Sequence, residues 1–348
     1  YLTKIEVTSD NDITDTYTLD PTAETNTGAL TGTGSGKKIE LTTKGNYGST
    51  YQNGFPLTNT SANLSTNGAY MVIKPGTHTL RIRYWVKDVA TQVEGTITKM
   101  ILSHTFAKNE YVNMEADLQI KNYDGDHYYM WDAEKQYWEG YEWNKGGSQP
   151  TINQGYPGAT TSNNYAKSNT DLRYYNEYYP GLGVSNPATH TSCKDLPNAN
   201  EMSWYCMYGD PRWDGDELWT TMGHLYKGGM WFKKKSVLQA EHHYDTEKSA
   251  DNITDLRTTY KSYFTLNSSI SNSGVPSVAN VGNYFYLPAL GIYSSYWMYD
   301  LSGYGYYWSS SAIPSSSMSA YCLLFSSGSV TVGSLGRDAG YRVEPLFE

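Results

Sequence analysis

The stretch from Tyr284 to Val343 constrains the fold most. Tyr284-Phe-Tyr-Leu-Pro-Ala-Leu-Gly291, Gly303-Tyr-Gly-Tyr-Tyr-Trp-Ser-Ser-Ser311, Ala320-Tyr-Cys-Leu-Leu-Phe-Ser326 and Arg337-Asp-Ala-Gly-Tyr-Arg-Val343 are short aromatic and aliphatic runs separated by turn-forming residues. Runs of this length, bounded by Gly, Pro and Ser, read as strands and turns rather than helices. None carries a spacing that catalysis requires. A stretch of this kind is expected to build a β-rich scaffold.

With 348 residues, two domains are expected, and either half is long enough to bury a core. Composition places a boundary near 120–130. Residues 1–123 hold one tryptophan and eight tyrosines; residues 124–348 hold nine tryptophans and twenty-six tyrosines. Charge shifts at the same place, from 11 basic against 12 acidic residues to 15 against 23. Tyrosine outnumbers phenylalanine 34 to 7. A phenol buries a large ring yet keeps a hydroxyl for hydrogen bonding, which suits half-wet sheets and recognition loops. The net charge of −9 argues against a nucleic-acid partner, which needs clustered Lys and Arg; Lys233-Lys234-Lys235 is the one compact basic run.

No stretch approaches the roughly 20 apolar residues of a membrane-spanning helix. The chain opens directly on strand-like Tyr1-Leu-Thr-Lys-Ile-Glu-Val7 with no signal peptide. A targeting or lipid-attachment segment is therefore expected to have been removed, and that segment would be the sole link to an outer membrane. Three cysteines, Cys193, Cys206 and Cys322, are too few for a disulfide scaffold or zinc site. One bridge with one remaining thiol, or three buried thiols, both fit.

Residues 1–123 read as all-β. Thr79-Leu-Arg-Ile-Arg-Tyr-Trp-Val86 alternates with period two, and Thr96-Ile-Thr-Lys-Met-Ile-Leu102 does so less cleanly. Tyr111-Val-Asn-Met-Glu-Ala-Asp-Leu-Gln-Ile120 predicts a further strand with Tyr111, Val112, Met114, Ala116, Leu118 and Ile120 mostly on one face. Glycine- and asparagine-rich breaks at Gly32–Gly36 and Lys74–Thr77 separate short strands in the manner of a sandwich. The opening Thr3-Lys-Ile-Glu-Val7, Gly68-Ala-Tyr-Met-Val-Ile73 and Phe106-Ala-Lys-Asn-Glu-Tyr111 resemble fimbrillin-like pilin domains of Bacteroidetes. The last departs from that family's Phe-x-Ala-Gly-x-x-Tyr pattern by lacking its glycine.

In residues 124–348, the segment Tyr123–Trp143 is dense in aromatic and acidic residues and is expected to supply the first strands. Residues 144–170 read as a long loop. One helix is expected from Asp195 as cap, with Pro197 in its first turn, through Glu201-Met-Ser-Trp-Tyr-Cys-Met207 to Gly209. A second is expected from Asp214-Gly-Asp-Glu217, with Leu218, Met222 and Leu225 on one side and Gly228-Gly229 at its end. Leu196-Pro197, two helices, Gly305-Tyr-Tyr-Trp-Ser-Ser-Ser311 and the late Arg342 resemble a C-type-lectin-like domain of the Fibrobacter major-paralogue type over residues 190–348. The fold expected is thus multidomain. An N-terminal all-β fimbrillin-like (transthyretin-like) sandwich, 1–123, precedes an α+β C-type-lectin-like domain, 124–348, with two short helices and long loops.

Candidate chemistry fails on residue grounds. Ser309-Ser310-Ser311 has no Gly-x-Ser-x-Gly elbow and no positioned base. His242-His243 would point to opposite faces of an extended strand and so would not converge with Asp245 on a metal. Asp214-x-Asp216 and Asp124-x-Asp126 are calcium-type acidic pairs, but the fuller calcium loop is absent, as are the Glu-Pro-Asn and Gln-Pro-Asp tripeptides of sugar-binding C-type lectins. The cysteine pair of the similarly folded sulfatase-modifying oxidases is absent too. No catalytic residue, metal or cofactor is expected. Ligand binding is expected at the loop aromatics Tyr174, Tyr175, Tyr178, Tyr179, Trp213, Tyr296, Trp297 and Tyr299, against the competing reading that such rings cover the domain's own core.

The two resemblances together imply a non-enzymatic, extracellular adhesin, a tip or accessory pilin of a surface fimbria. Its sandwich would join other pilin subunits by β-strand addition, and its distal domain would meet a glycan or protein ligand. A surface carbohydrate-binding protein with no pilus role is the alternative.

Overall fold

The structure is a computed structural model that describes residues 1–14, 17–20, 29–32, 35–57, 61–144, 164–177, 187–244, 247–266, 270, 274–295 and 297–344. It is mostly β-sheet. Contacts divide the chain into two units: Tyr1–Ile120 with Asp216–Leu218 and Ser277–Val281, and Lys121–Gly215 with Trp219–Pro276 and Gly282–Glu348.

The first unit contains β1 (Leu2–Ser9), β2 (Tyr17–Asp20), β3 (Ala29–Gly32), β4 (Lys38–Thr42), α1 (Leu64–Asn67), β5 (Gly76–Lys87) and β6 (Glu94–Phe106). Antiparallel pairing gives the order β4-β1-β5-β6, and β2 pairs β3. Alternation sets the buried side: Ile5 and Val7 from β1, with Leu80, Ile82 and Val86 from β5. On the other side, Lys38 Nζ lies 2.9 Å from both Glu6 and Glu40 carboxylates.

The strand expected over 111–120 is not formed. Those residues belong to no ladder, and Tyr111, Val112 and Met114 are exposed. Alternation predicts a strand only where a neighbouring strand offers backbone groups, and none of the described residues pairs with this segment. Helix α1 likewise buries none of its residues.

The second unit contains β7 (Lys121–Asn122), β8 (Tyr128–Tyr129), α2 (Ala199–Tyr208), both ends of β9 (Arg212–Thr221), β10 (His224–Lys233), α3 (Lys235–Ala240), β11 (Tyr263–Leu266), β12 (Tyr284–Pro288), β13 (Leu290–Ser294), β14 (Trp297–Leu301), β15 (Tyr304–Ala312), β16 (Ser319–Ser326), β17 (Ser329–Gly336) and β18 (Tyr341–Arg342). One sheet runs β11-β17-β16-β15-β13-β14, with β18 parallel to β15 and antiparallel to β8. Elsewhere β12 pairs β10, β10 pairs β9, and β7 lies parallel to β9.

Helix α2 begins later than Asp195 suggests. Asn198 is the cap, its side-chain oxygen accepting from the Glu201 N–H at 3.0 Å, so Pro197 precedes the helix. The second expected helix is a β-hairpin instead. Met222 and Gly223 both have positive φ, 49° and 74°, the signature of a two-residue hairpin turn. The 3.6-residue spacing of Leu218, Met222 and Leu225 is overridden by the β-forming Trp213, Trp219, Thr220 and Thr221, whose strand pairs with its neighbour. A short helix, α3, follows that hairpin.

Rings fill the second unit. Trp131, Trp138, Trp204, Trp219 and Trp308 are almost wholly buried, as are Tyr128, Tyr137, Tyr205, Tyr293 and Tyr307. Several of their polar tips find backbone acceptors: Trp308 Nε1 donates to Tyr129 O, Trp131 Nε1 to Ser309 O and Tyr307 Oη to Pro288 O. Each such ring contributes roughly 1.5–3 kcal/mol of burial, and its polar tip costs nothing once paired. The guanidinium of buried Arg337 lies 4.4 Å from the Trp131 ring and donates to Ser319 O and Ser316 O.

Candidate functional site

The loop aromatics divide when placed in the fold. Tyr175 is a core residue; its ring lies 4.4 Å from that of Tyr174, which is half-buried against the same cluster. Trp213 sits on β9, half-buried against the main core. Burial of an apolar ring outweighs its use as a lure for ligand wherever the chain can fold over it. Trp297 and Tyr299 do form a surface pair on edge strand β14, rings 5.8 Å apart and 16° from parallel, with Tyr299 41% exposed. Tyr178, Tyr179 and Tyr296 lie outside the described residues.

The motifs set aside on sequence grounds are engaged in structure. Ser309 Oγ donates to Tyr321 O, and Ser311 Oγ accepts from the Ala199 N–H, all buried. His243 stacks on Tyr208 with centroids 4.1 Å apart; Asp245 lies outside the described residues. Asp214 and Asp216, read as helix-capping acids, stand on β9. All three cysteines are buried and unbridged, which removes the one-bridge alternative. Burial pushes the Cys193 and Cys206 thiols up to about 12, so neither is a nucleophile near neutral pH.

A concave site lies where the sequence was read as strands. Beyond the two-residue β7 and β8, the Tyr123–Trp143 segment runs through turns and forms a groove of about 140 Å³. It is lined by Asn122, Asp124, Asp126, Gln136, Glu142 and Asn144 on its polar side and by Trp138, Trp143 and Met222 on its apolar side. Tyr123 anchors one wall: its N–H donates to Thr220 O at 2.7 Å, and its ring meets Trp219 edge-on. Two glycines allow the closure. A Cβ on Gly125 would stand 2.5 Å from Met222 Cγ, and one on Gly223 would stand 3.1 Å from Trp143 Cζ3. The Trp143 ring therefore rests against both glycines, with 42% of the residue still exposed.

The other wall is pre-set by hydrogen bonds. Gln136 accepts from the Trp138 N–H at 2.7 Å and donates to Glu142 Oε1 at 3.4 Å; Glu142 Oε1 also accepts from the Gly140 N–H at 3.1 Å. Trp138 is 1% exposed, yet its indole N–H has no acceptor among the described residues. At the rim, Asp124, Asp126 and His127 bring ligand atoms within 4.8 Å of one another, all three exposed. The arrangement combines fixed hydrogen-bond groups with an aromatic surface. Binding is within its chemistry; among its lining residues there is no nucleophile beside a base.

Sequence reading passed over this groove because its parts come from 122–126, 136–144 and 222, and only the hairpin turn at Met222-Gly223 brings the last against the first. The available signal was the alternation of acids and rings between Tyr123 and Trp143. No family model matches the chain, and neither a curated protein nor a solved structure does.

Proposed function

We propose that the protein is a non-enzymatic cell-surface adhesin, a tip or accessory pilin of a fimbria. In this reading a fimbrillin-like first domain docks to other pilin subunits by β-strand addition, and a C-type-lectin-like second domain meets a glycan or protein ligand outside the cell. The observation that carries the reading is the groove: amide and carboxylate groups held in place beside a partly exposed tryptophan, on a scaffold whose own rings are buried. Preorganised polar groups around an aromatic surface are what ligand sites share.

Residues 111–120 favour the pilin reading over a surface carbohydrate-binding protein with no pilus role. An alternating segment that pairs with no strand among the described residues would satisfy its backbone and its apolar side by joining another sheet. The full chain, immobilised on beads, is expected to retain glycan-coated particles or whole cells for hours with no shortened glycan released. Release of product, or no retention across host and bacterial surfaces, overturns the reading.

A further inference from the structure

We infer that the Asn122–Asn144 groove is a subsite for one uncharged sugar ring, held by direct hydrogen bonds and ring stacking. The inference rests on the adhesin reading and assigns that reading its contact point and its ligand class.

Charge makes the first selection. Among the described residues the groove is lined by three carboxylates, Asp124, Asp126 and Glu142, and by no lysine or arginine. A carboxylated or sulfated sugar would enter against that field with no cation among those lining residues to meet it. Donor and acceptor inventory makes the second. A lysine or arginine side chain of a peptide would satisfy the carboxylates but accepts no hydrogen bond. Asn122, Gln136 and Asn144 present the opposite need, since their amides donate hydrogen bonds as well as accept them.

A ligand that both donates to carboxylates and accepts from N–H groups, over several adjacent positions, is polyhydroxylated. The remaining wall fits the same chemistry. Trp143 and Met222 offer an apolar surface to the C–H side of a pyranose, while the hydroxyls point to the polar side. At about 140 Å³ the groove is small against the roughly 300–1,000 Å³ of drug-sized pockets, which suits one ring and not a long chain.

The test uses the full chain with galactose, N-acetylglucosamine, glucuronic acid and an N-acetyl-lysine amide as probes, read by tryptophan fluorescence and saturation-transfer NMR. At least one uncharged sugar is expected to bind, with affinity about tenfold or more above glucuronic acid and the lysine probe, and unchanged by EDTA. Trp143→Ala should weaken it about tenfold, and Glu142→Gln should narrow the gap to glucuronic acid. Asp126→Asn, at an exposed position, provides a second variant should Glu142→Gln disturb the fold; circular dichroism monitors each. Several outcomes overturn the inference: no uncharged sugar binding, stronger binding of the lysine probe or glucuronic acid, loss of binding in EDTA, or wild-type affinity in all three variants. Should beads still retain cells while the three variants bind sugar normally, the groove assignment falls and the adhesin reading stands. Should retention itself fail, the adhesin reading falls with it.

Discussion

The two units solve the same problem, covering apolar surface, to different extents. The second folds its rings inward: Trp308 is fully buried, stacked on Tyr341 at 4.2 Å, with its N–H bonded to Tyr129 O. The first leaves Leu64, Tyr70, Val72, Leu102, Tyr111 and Met114 in solvent, with Tyr70 and Val72 at 65% and 76% exposure. The second unit also exposes Ile253, Phe264, Leu266 and Met318, so the contrast lies in its enclosed tryptophans; large side chains carry stability only where neighbours surround them.

The sharpest way to break this contrast is Trp308→Ala. Loss of a fully enclosed indole and its hydrogen bond should lower stability by about 3–5 kcal/mol, read from urea unfolding. A loss below about 1 kcal/mol would mean that the buried rings are not what holds the second unit together.

A smaller effect is expected at its polar loops. Burial alone would raise the Asp255 carboxyl, but hydrogen bonds from Arg257 and Asn200 outweigh it and bring the group to about 2. Asp251 is lowered as well: against the upward pull of burial stand bonds from Lys261, Thr254 and the Ile253 N–H. Folded-state values below the unfolded ones contribute stability above pH 4, which is lost as pH falls through the folded value. The urea midpoint should therefore fall between about pH 4 and 2, and fall less steeply in Asp255→Asn. Equal slopes in the two proteins would show that Asp255 plays no part in acid unfolding.

The smallest effect belongs to the first unit. Tyr111→Ser with Met114→Ser should shift stability by no more than about 0.5 kcal/mol, since neither side chain is enclosed. The same pair should weaken association with a partner pilin if residues 111–120 supply a strand. A loss of several kcal/mol in the isolated protein would show the segment packed in solution and erase the contrast.

Legibility followed locality. The strands at Thr79–Val86 and through Tyr284–Ser326 were readable because alternation and glycine breaks lie within each run. Helix α2 was readable from its flanking signals, Pro197 before it and Gly209 at its end, but its cap was misplaced onto Asp195 because Asn198 competes for the role three residues later. The hairpin at 212–233 was hidden because Leu218, Met222 and Leu225 satisfy a helical period by accident, while the deciding Met222-Gly223 turn is two residues long. Among the aromatics, sequence could not separate Tyr175, enclosed, from Tyr299, exposed, since both sit among polar loop residues.

The amino-acid order by itself determined a tyrosine-rich β protein, acidic in its second half. Period, charge and residue type act over a few neighbours, and those properties are local. Tertiary structure alone decided which rings face water and that Met222 meets Gly125 at the floor of an acidic groove. Those depend on which distant segments come together, and enclosure, not residue type, sets what a side chain can do.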